Sequence, residues 1–171
     1  MAKISKTGSV IWITGLSGAG KTTVSKILVQ NLRKKNRSVI LLDGDKLREI
    51  FEPDHENEKK YQNTKRIELA FKYSKLSQTL SLQGFTIVIA TISLYTEIHK
   101  WNAKNLPRYF ETYLCVPIDE LRKRDTKGIY HRYDSGKISD VVGLDLKFDQ
   151  PFNPTLKIEF NEKLNARQTA S

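Results

Sequence analysis

Several features are missing from this 171-residue sequence, and each absence narrows the class of protein. The chain has a single cysteine, Cys115, so it cannot form an internal disulfide. The apolar run at 113–116 predicts that this cysteine is a small buried core residue. No apolar run approaches the roughly 20 residues of a membrane span, and the basic N-terminus lacks the separate apolar segment of a signal peptide. We therefore expect a soluble cytoplasmic protein with no membrane contact.

The sequence also lacks the signatures of a zinc site and of nucleic-acid binding. The three histidines are dispersed, which argues against a zinc site. The net charge of +10 would allow a polyanionic partner. However, the basic residues are scattered, and no arginine-rich segment with interleaved aromatic residues occurs. We therefore expect no nucleic-acid partner. A P-loop NTPase that binds nucleic acid is kept as an alternative function from a different class of protein.

What the sequence does contain is a glycine-rich motif after a short apolar strand at 10–13. Residues 15–22 satisfy G-x-x-x-x-G-K-[ST] at every fixed position. In such a motif backbone N–H groups turn toward phosphate oxygens, Lys21 reaches the β- and γ-phosphates, and the Thr22 hydroxyl ligates Mg²⁺. A glycine-rich turn can match by chance, but the strand before it and the helix predicted to begin near Lys21 favour a nucleoside-triphosphate site. The predicted contacts are Gly15, Ser17, Gly18, Ala19, Gly20, Lys21, Thr22 and Thr23.

A second candidate for chemistry is the acidic turn at 43–45. It directly follows the apolar strand at 39–42, and ligands of open α/β sheets bind at the carboxyl ends of strands. Asp43 and Asp45 would then lie beside the Mg-nucleotide. The structural alternative is a turn in which Asp45 caps a helix beginning at Lys46. Both roles can hold together.

The order of apolar and helical patterns predicts the fold. Strands are predicted at 10–13, 39–42, 86–90, within 108–116 and at 156–160, with a long helix at 61–83. Alternating strands and helices predict an α/β fold of three layers, a doubly wound parallel sheet of about five strands, as in P-loop kinases. We expect a single domain over 1–160 and a frayed, flexible tail at 161–171.

A basic segment at 122–137 predicts a mobile lid over the phosphates. It carries six basic residues against two acidic ones and contains glycine. We expect at least one of Arg124, Lys127 and Arg132 to contact donor or transferred phosphate, the alternative for each being a solvated basic face.

These features favour a small-molecule kinase that uses ATP and Mg²⁺ over other P-loop proteins. A regulatory GTPase needs guanine-recognition and switch motifs, and neither Asn-Lys-x-Asp nor a strand-end Asp-x-x-Gly occurs. A P-loop motor would carry an apolar strand ending in Asp-Glu, whereas the third strand here ends in Ala90 and Thr91. A kinase needs a P-loop, Mg²⁺, an acidic group near the acceptor hydroxyl and basic groups around the γ-phosphate.

At this point the motifs resemble those of the adenylylsulfate (APS) kinases over about residues 10–160. The matching stretches are 15–23, Leu42-Asp-Gly-Asp45 with Arg48, Asn63 followed by Lys65-Arg66, Ile92-Ser93, 124–130 and 143–145. The resemblance implies Mg-ATP-dependent phosphorylation of the 3′-hydroxyl of a nucleotide with an activated 5′ anhydride. It further implies that Asp43 organises the Mg²⁺ shell and that Asp45 faces the acceptor hydroxyl. The acceptor-binding positions implied by the resemblance are Asp45, Arg48, Lys60, Asn63, Ile92 and Ser93.

Departures from the family pattern fall on the acceptor side. The APS kinases hold the acceptor adenine between two phenylalanines, whereas 49–62 lacks the Leu-Gly-Phe loop and Val141 replaces the second ring. Ser139 replaces a basic residue, and Lys60 replaces an arginine. This pattern resembles the capsule-pathway branch of the family, the cytidine diphosphoramidate kinases.

Several alternatives stay open at this stage. Tyr61, Tyr95 or Phe148 could rebuild an adenine pocket, which would make the protein an adenylylsulfate kinase. The sequence also leaves open whether ATP or GTP is the donor, and it does not fix the oligomeric state, a homodimer being one option.

Overall fold

The computed structural model describes residues 7–35, 38–52, 63–162 and 165–170. Its centre is a sheet of five parallel strands in the order β2-β3-β1-β4-β5. The strands are β1 (Val10–Thr14), β2 (Val39–Asp43), β3 (Thr86–Ala90), β4 (Tyr109–Cys115) and β5 (Leu156–Glu159). The predicted parallel sheet and its five strands are confirmed.

Helices cover both faces of this sheet. They are α1 (Lys21–Lys34), α2 (Gly44–Phe51), α3 (Asn63–Leu82), α4 (Thr96–Asn105), α5 (Ile118–Arg124), α6 (Ile129–Asp134) and α7 (Ala166–Thr169). Val10, Trp12 and Ile89 pack with α2, α3 and α4 into one core, while Ile13 and Val88 pack with α1, α5 and α6 into another. The two cores make three layers, because β1 and β3 are apolar and buried on both faces.

The strand register places the polar strand ends beside one another. Ile13 is paired with Ala90, and Asp43 is paired with the same residue from the other side. The carboxyl ends of β1, β2 and β3 lie at this end of the sheet, and α1 and α2 begin there. The fold therefore brings the glycine-rich loop and the acidic turn to one end of the sheet.

Four local expectations need correction. The helix after β2 begins at Gly44 and not at Lys46, because the carboxylate of Asp43, and not that of Asp45, caps it. Residues 129–134 lie in the segment predicted only as a mobile lid, yet they form the helix α6, whose 6 residues are too few to give a periodic pattern in the sequence. Cys115 is only partly buried, since it lies at the end of β4.

The fourth correction concerns the predicted tail. It contains α7, which begins with a capping box in which Asn165 and Gln168 exchange side-chain and backbone hydrogen bonds. Ala166 and Ala170 pack against the core on the α1 side, so these residues belong to the folded structure. In the described residues, no helix is both long and apolar enough to cross a membrane.

Candidate active site

A cleft of about 360 Å³ opens at the carboxyl end of the sheet. Its walls come from the loop between β1 and α1, the start of α2, the end of β3 and the segment that joins α5 to α6. Twelve of the predicted site residues line it: Ser17, Gly18, Gly20, Lys21, Thr22, Thr23, Asp43, Asp45, Arg48, Ile92, Arg124 and Lys127. Groups predicted for the donor and for the acceptor therefore share one cleft.

Two glycines fix the course of the loop between β1 and α1. Gly15 has a φ of 152°, and a Cβ at this position would lie only 2.7 Å from the backbone oxygen of Leu114. Gly20 has a φ of 92° and is the N-cap of α1, in the left-handed region that glycine adopts at little cost. The N-terminal end of α1 consequently lies at the cleft, where its free N–H groups and partial positive charge favour an anion.

Lys21 lies in this cleft as the first residue of α1. Its Nζ donates a hydrogen bond to the backbone oxygen of Leu16 at 2.8 Å. Burial, and then the positive charge of Lys127, lower the pKa of Lys21 to about 8, although Asp45 and Asp43 act in the opposite direction. The positive charge of the ammonium group is thus only partly balanced by the protein's own carboxylates, as expected of a group that binds an anionic ligand.

Thr22 and Asp43 meet on the floor of the cleft. The Thr22 hydroxyl donates to Oδ2 of Asp43 at 3.0 Å, while Oδ1 of Asp43 accepts the backbone N–H of Asp45 at 3.0 Å. A hydroxyl and a carboxylate side by side suit Mg²⁺, which prefers oxygen ligands and usually takes only one or two from the protein. Across the described ranges, no group of three or more His, Cys, Asp or Glu side chains could hold a metal. These residues therefore fit a metal ion that arrives with a nucleotide.

Asp45 is joined to the opposite wall of the cleft by an ion pair with Lys127. Partial burial alone would raise the pKa of Asp45, but the hydrogen bond and charge of Lys127 and the charges of Arg48 and Lys21 outweigh it. The pKa of Asp45 consequently lies below its ordinary value. The carboxylate is ionised at neutral pH and can accept a hydrogen bond from an acceptor hydroxyl.

The segment predicted as a lid is built around Asp125 and Tyr130. Asp125 accepts the backbone N–H groups of Tyr130 at 3.1 Å and of His131 at 2.9 Å, which fixes the start of α6. Tyr130 is buried, and its hydroxyl donates to the backbone oxygen of Ser17 at 2.9 Å. One face of the segment is therefore anchored on the phosphate-binding loop. Arg132 is exposed and does not line the cleft.

A second cavity of about 230 Å³ lies on the other side of the phosphate-binding loop. It shares Gly20, Thr23 and Arg124 with the main cleft, so the two spaces adjoin. The Arg124 guanidinium lies 4.9 Å from the centre of the Phe160 ring in its wall. A flat cation above an aromatic ring, next to a phosphate site, makes a suitable wall for a nucleobase.

A third, smaller cavity of about 30 Å³ adjoins the cleft at its acceptor end. Arg48, Thr91 and Ile92 line both spaces, and Ser93 lines only the smaller one. Five residues of its wall had no site role predicted from the sequence: Arg66, Leu69, Tyr73, Thr91 and Val142. Of these, Arg66 belongs to one of the stretches that resemble the family, in which it directly follows Lys65. Val142, and not Val141, lines this cavity, together with the aliphatic side chains of Leu69 and Ile92.

Comparison with known proteins identifies the family. Residues 7–159 match the model of the family described as Adenylylsulphate kinase. The chain belongs to this family. It is 40% identical over 142 residues to a cytidine diphosphoramidate kinase of Campylobacter jejuni subsp. jejuni serotype O:2, with 83% of this chain and 81% of that protein covered. It is 32% identical over 152 residues to a probable adenylyl-sulfate kinase of Pyrococcus abyssi, with 89% and 85% covered.

A solved member of the adenylylsulfate kinase family has the same fold. The structure of the Mycobacterium tuberculosis APS kinase in complex with AMPPNP and APS matches with a TM-score of 0.84 and 28% identity, covering 95% of this chain and 93% of that chain. This chain is accordingly a kinase that transfers a phosphoryl group to a hydroxyl acceptor. The predicted family, fold class and enzyme class are confirmed.

Besides Arg132 and Ser93, two other predicted site residues, Gly15 and Ala19, lie outside the lining of the main cleft. Gly15 lies close to the backbone of Leu114 in β4, and Ala19 lines the second cavity. Lys60 lies outside the described residues, and Asn63 is described only as the first residue of α3, without its side chain. The roles of Lys60 and Asn63 stay predictions.

Proposed function

We propose that the protein transfers the γ-phosphoryl group of Mg-ATP to the ribose 3′-hydroxyl of a nucleotide whose 5′ end carries an activated anhydride. We propose cytidine diphosphoramidate as its preferred acceptor. The observation that carries the reaction is the position of Asp45, which lies in one cleft with Lys21 on the donor side and Arg48 on the acceptor side. A phosphoryl donor and a hydroxyl acceptor need such a shared space.

The donor would lie along the phosphate-binding loop. Backbone N–H groups at the start of α1 and the Lys21 ammonium group would bind its phosphates. Its base would occupy the cavity walled by Arg124 and Phe160. Thr22 and Asp43 would hold Mg²⁺ directly or through water, and the bound ion would neutralise charge on the β- and γ-phosphate oxygens.

The acceptor hydroxyl would face Asp45. In the transfer, the bond between the 3′-oxygen and the γ-phosphorus forms while the bond to the β–γ bridging oxygen breaks, and the hydroxyl proton passes to the Asp45 carboxylate. A carboxylate with a lowered pKa is a weak base, so Asp45 contributes chiefly by fixing the direction of the hydroxyl. This suffices for a loose transition state with little bond formation to the attacking oxygen.

Lys127 connects the two halves of this arrangement. Its ammonium group reaches Asp45 from the segment between α5 and α6. When the acceptor hydroxyl takes its place at Asp45, Lys127 is released toward the transferred phosphoryl group, whose charge it would stabilise. Lys21 would stabilise the same charge from the α1 side.

The choice of acceptor rests on the wall of the acceptor end. Ile92 and Val142 give it aliphatic surface, and a pair of stacking phenylalanines does not occur in the described part of this wall. Stacking on an aromatic side chain contributes about 1–3 kcal/mol per base, so a site without the rings holds adenine less tightly. The similarity to a cytidine diphosphoramidate kinase supports the same choice.

The second candidate is adenylylsulfate as acceptor. Tyr73 and Tyr95 line the small cavity and so bring aromatic surface to the acceptor end of the main cleft, where adenine could lie against it. The similarity to a probable adenylyl-sulfate kinase supports this alternative.

The deciding experiment is a coupled ADP-release assay with Mg-ATP over a panel of nucleotide acceptors. We expect kcat/KM to be higher for cytidine diphosphoramidate than for adenylylsulfate, because this ratio reports differential binding of the two transition states. A clear preference for adenylylsulfate would overturn the pyrimidine proposal and leave the kinase reaction intact. Absence of ADP release with every nucleotide would overturn both.

A further inference from the structure

The peptide unit that joins Gly44 to Asp45 is hydrogen-bonded at both of its polar groups. Its N–H group donates to Oδ1 of Asp43 at 3.0 Å. Its carbonyl oxygen accepts a hydrogen bond from the hydroxyl of Tyr73, on α3, at 3.1 Å. Because a peptide unit is planar, its N–H and C=O groups turn together, and the two hydrogen bonds fix the orientation of the plane. The Cα of Asp45 lies in this plane, so the direction in which the Asp45 side chain leaves the backbone depends on both bonds.

The end of β3 restricts the same stretch of backbone. A Cβ on Gly44 would lie 2.9 Å from the backbone oxygen of Ala90 and 3.1 Å from the Cβ of Thr91, so glycine allows a close approach to the sheet here. The backbone at the start of α2 therefore has little room to move on the β3 side. The hydrogen bond from Tyr73 attaches it to α3 as well.

Tyr73 is itself held firmly. Its side chain is buried in the core that contains Leu47 of α2 and Leu69 of α3, and its ring centre lies 6.2 Å from that of Phe51, the last residue of α2. Burial raises the pKa of Tyr73 well above its ordinary value, although the charge of Arg48 acts in the opposite direction. The hydroxyl consequently keeps its proton at neutral and moderately alkaline pH and remains a hydrogen-bond donor.

Hydrogen bonds continue from this peptide unit to the residues proposed to hold Mg²⁺. Oδ1 of Asp43 accepts the N–H of Asp45, while Oδ2 of Asp43 accepts the Thr22 hydroxyl. Hydrogen bonds in series in a partly buried site strengthen one another. The Tyr73 hydroxyl thus stands at the α3 end of a connected set of groups that sets the positions of both carboxylates of the turn.

We propose that Tyr73 is a positioning residue of the phosphoryl transfer, which acts through the Gly44–Asp45 peptide unit to direct the Asp45 carboxylate at the acceptor hydroxyl. This inference rests on the proposed function, in which Asp45 faces that hydroxyl, and deepens it. Reacting groups must be held closely in place, and an error of about 1 Å can cost about 10²-fold in rate. The ring of Tyr73 lines the small cavity at the acceptor end, so Tyr73→Phe removes the hydrogen bond and keeps the wall.

The first test observes the peptide unit directly and needs no activity. Gly44-Asp45 is the single Gly-Asp pair in the sequence. Protein made with ¹³C at the glycine carbonyl carbons and ¹⁵N in aspartate therefore gives one signal in an NMR spectrum that correlates each amide nitrogen with the preceding carbonyl carbon. We expect Tyr73→Phe to shift this signal, because the Gly44 oxygen loses a hydrogen bond.

The matched control is Tyr109→Phe, which removes a tyrosine hydroxyl that donates to Oε1 of Glu111 at 2.8 Å on β4 and does not line the cleft. It should leave the Gly-Asp signal in place. An unmoved signal in Tyr73→Phe would overturn the inference, whatever the activity of the enzyme.

The second test separates positioning from structural support by ADP release with Mg-ATP and a nucleotide acceptor. We expect Tyr73→Phe to lower kcat by about threefold to tenfold, as for the loss of one hydrogen bond, with an unchanged KM for ATP. Tyr109→Phe should lose stability as well but keep the wild-type kcat. If Tyr73→Phe lowered only the melting temperature, or raised only the KM for the acceptor, Tyr73 would not act through Asp45 and the inference would be overturned.

The third test is a double-mutant cycle with Asp45→Ala, which removes the carboxylate that Tyr73 is proposed to direct. In this background Tyr73→Phe should lower the remaining kcat by less than about twofold, because no carboxylate is left to position. The same loss in both backgrounds would overturn the inference. Wild-type turnover of Asp45→Ala would overturn the proposed role of Asp45 and this inference with it. Slow turnover of Asp45→Ala together with normal turnover of Tyr73→Phe would overturn this inference alone.

Discussion

The Lys127 ammonium group and the Asp45 carboxylate form an ion pair across the cleft, although 82 residues separate them in the sequence. One partner belongs to the segment between α5 and α6, and the other to the first turn of α2. About half of each side chain is exposed, so the pair stabilises the fold only weakly. Its consequence lies in the chemistry, because it holds the predicted acceptor-facing carboxylate in its ionised form.

We predict that Lys127→Gln moves the acid limb of the pH profile of kcat/KM to higher pH. The hydrogen bond and the charge of Lys127 are the main causes that lower the pKa of Asp45. Their removal lets this pKa rise, so the enzyme loses activity at a higher pH on acidification. The matched control is Lys123→Gln, because Lys123 is 75% exposed and lies on the neighbouring helix. If the acid limb does not shift in the Lys127 variant, Asp45 is not the group whose protonation limits activity at low pH.

Lys21 gives a prediction in which activity and stability respond differently. Lys21→Met should lower kcat by about 10²-fold or more, because it removes a fixed charge from the transition state. The melting temperature at pH 7 should not fall. The pKa of about 8 in the folded chain lies below the value of 10.5 in the unfolded chain, so the lysine charge opposes folding below pH 8.

Two measurements check this prediction together. The wild-type protein should become more stable as the pH rises from about 8 to 10.5, because the unfolded chain binds more protons than the folded one in this range. The Lys21 variant should lack this increase in stability. Lys26→Met, at an exposed position of α1, should keep normal turnover. Normal turnover of a folded Lys21 variant would remove the lysine from the mechanism.

The sequence predicted the sheet and the phosphate-binding loop well, and the reasons are local. A run such as Thr86–Ala90 is β-branched and apolar throughout, which marks a central strand, and the loop motif carries its own glycines. Residues whose position depends on distant packing were missed. Arg66 and Tyr73 reach the acceptor end only because of the way in which α3 lies on the sheet. The pairing of Lys127 with Asp45 likewise has no local signature.

Two arginines of the predicted lid, Arg124 and Arg132, should differ in their effect on donor binding. Arg124 lines both the cleft and the cavity walled by Phe160, whereas Arg132 lines neither and its Nε donates to the backbone oxygen of Gly128 at 3.3 Å. Arg124→Gln should raise the KM for ATP by several-fold to about tenfold. Arg132→Gln should change it by less than about twofold, as for most exposed substitutions. Initial rates over a range of ATP concentrations measure both, and equal effects would argue against a donor site at Arg124.

Asp43 should show two separable losses, because its two carboxylate oxygens have different partners. Asp43→Asn keeps an acceptor for the N–H of Asp45 and therefore keeps the helix cap, but it removes a negative charge beside Thr22. We expect nearly unchanged stability and a higher Mg²⁺ concentration for half-maximal activity. Asp43→Ala should in addition lose about 0.5–2 kcal/mol of stability in urea unfolding, the usual cost of losing an N-cap. If Asp43→Asn has a normal Mg²⁺ requirement, Asp43 acts only as the N-cap of α2 and not at the metal.

Asp45 should behave in the opposite way, because Asp43 and not Asp45 caps α2. Asp45→Asn removes the charge that attracts Lys127 and the group that accepts the hydroxyl proton, while the helix start stays intact. We expect kcat to fall by about 10²-fold or more with little change in ATP affinity, because general-base and positioning residues contribute about 10²–10⁴-fold. Steady-state kinetics with ATP titration and a melting curve test this directly. If Asp45→Asn kept wild-type turnover, a different group would have to face the acceptor hydroxyl, and the ion pair with Lys127 would have a structural role only.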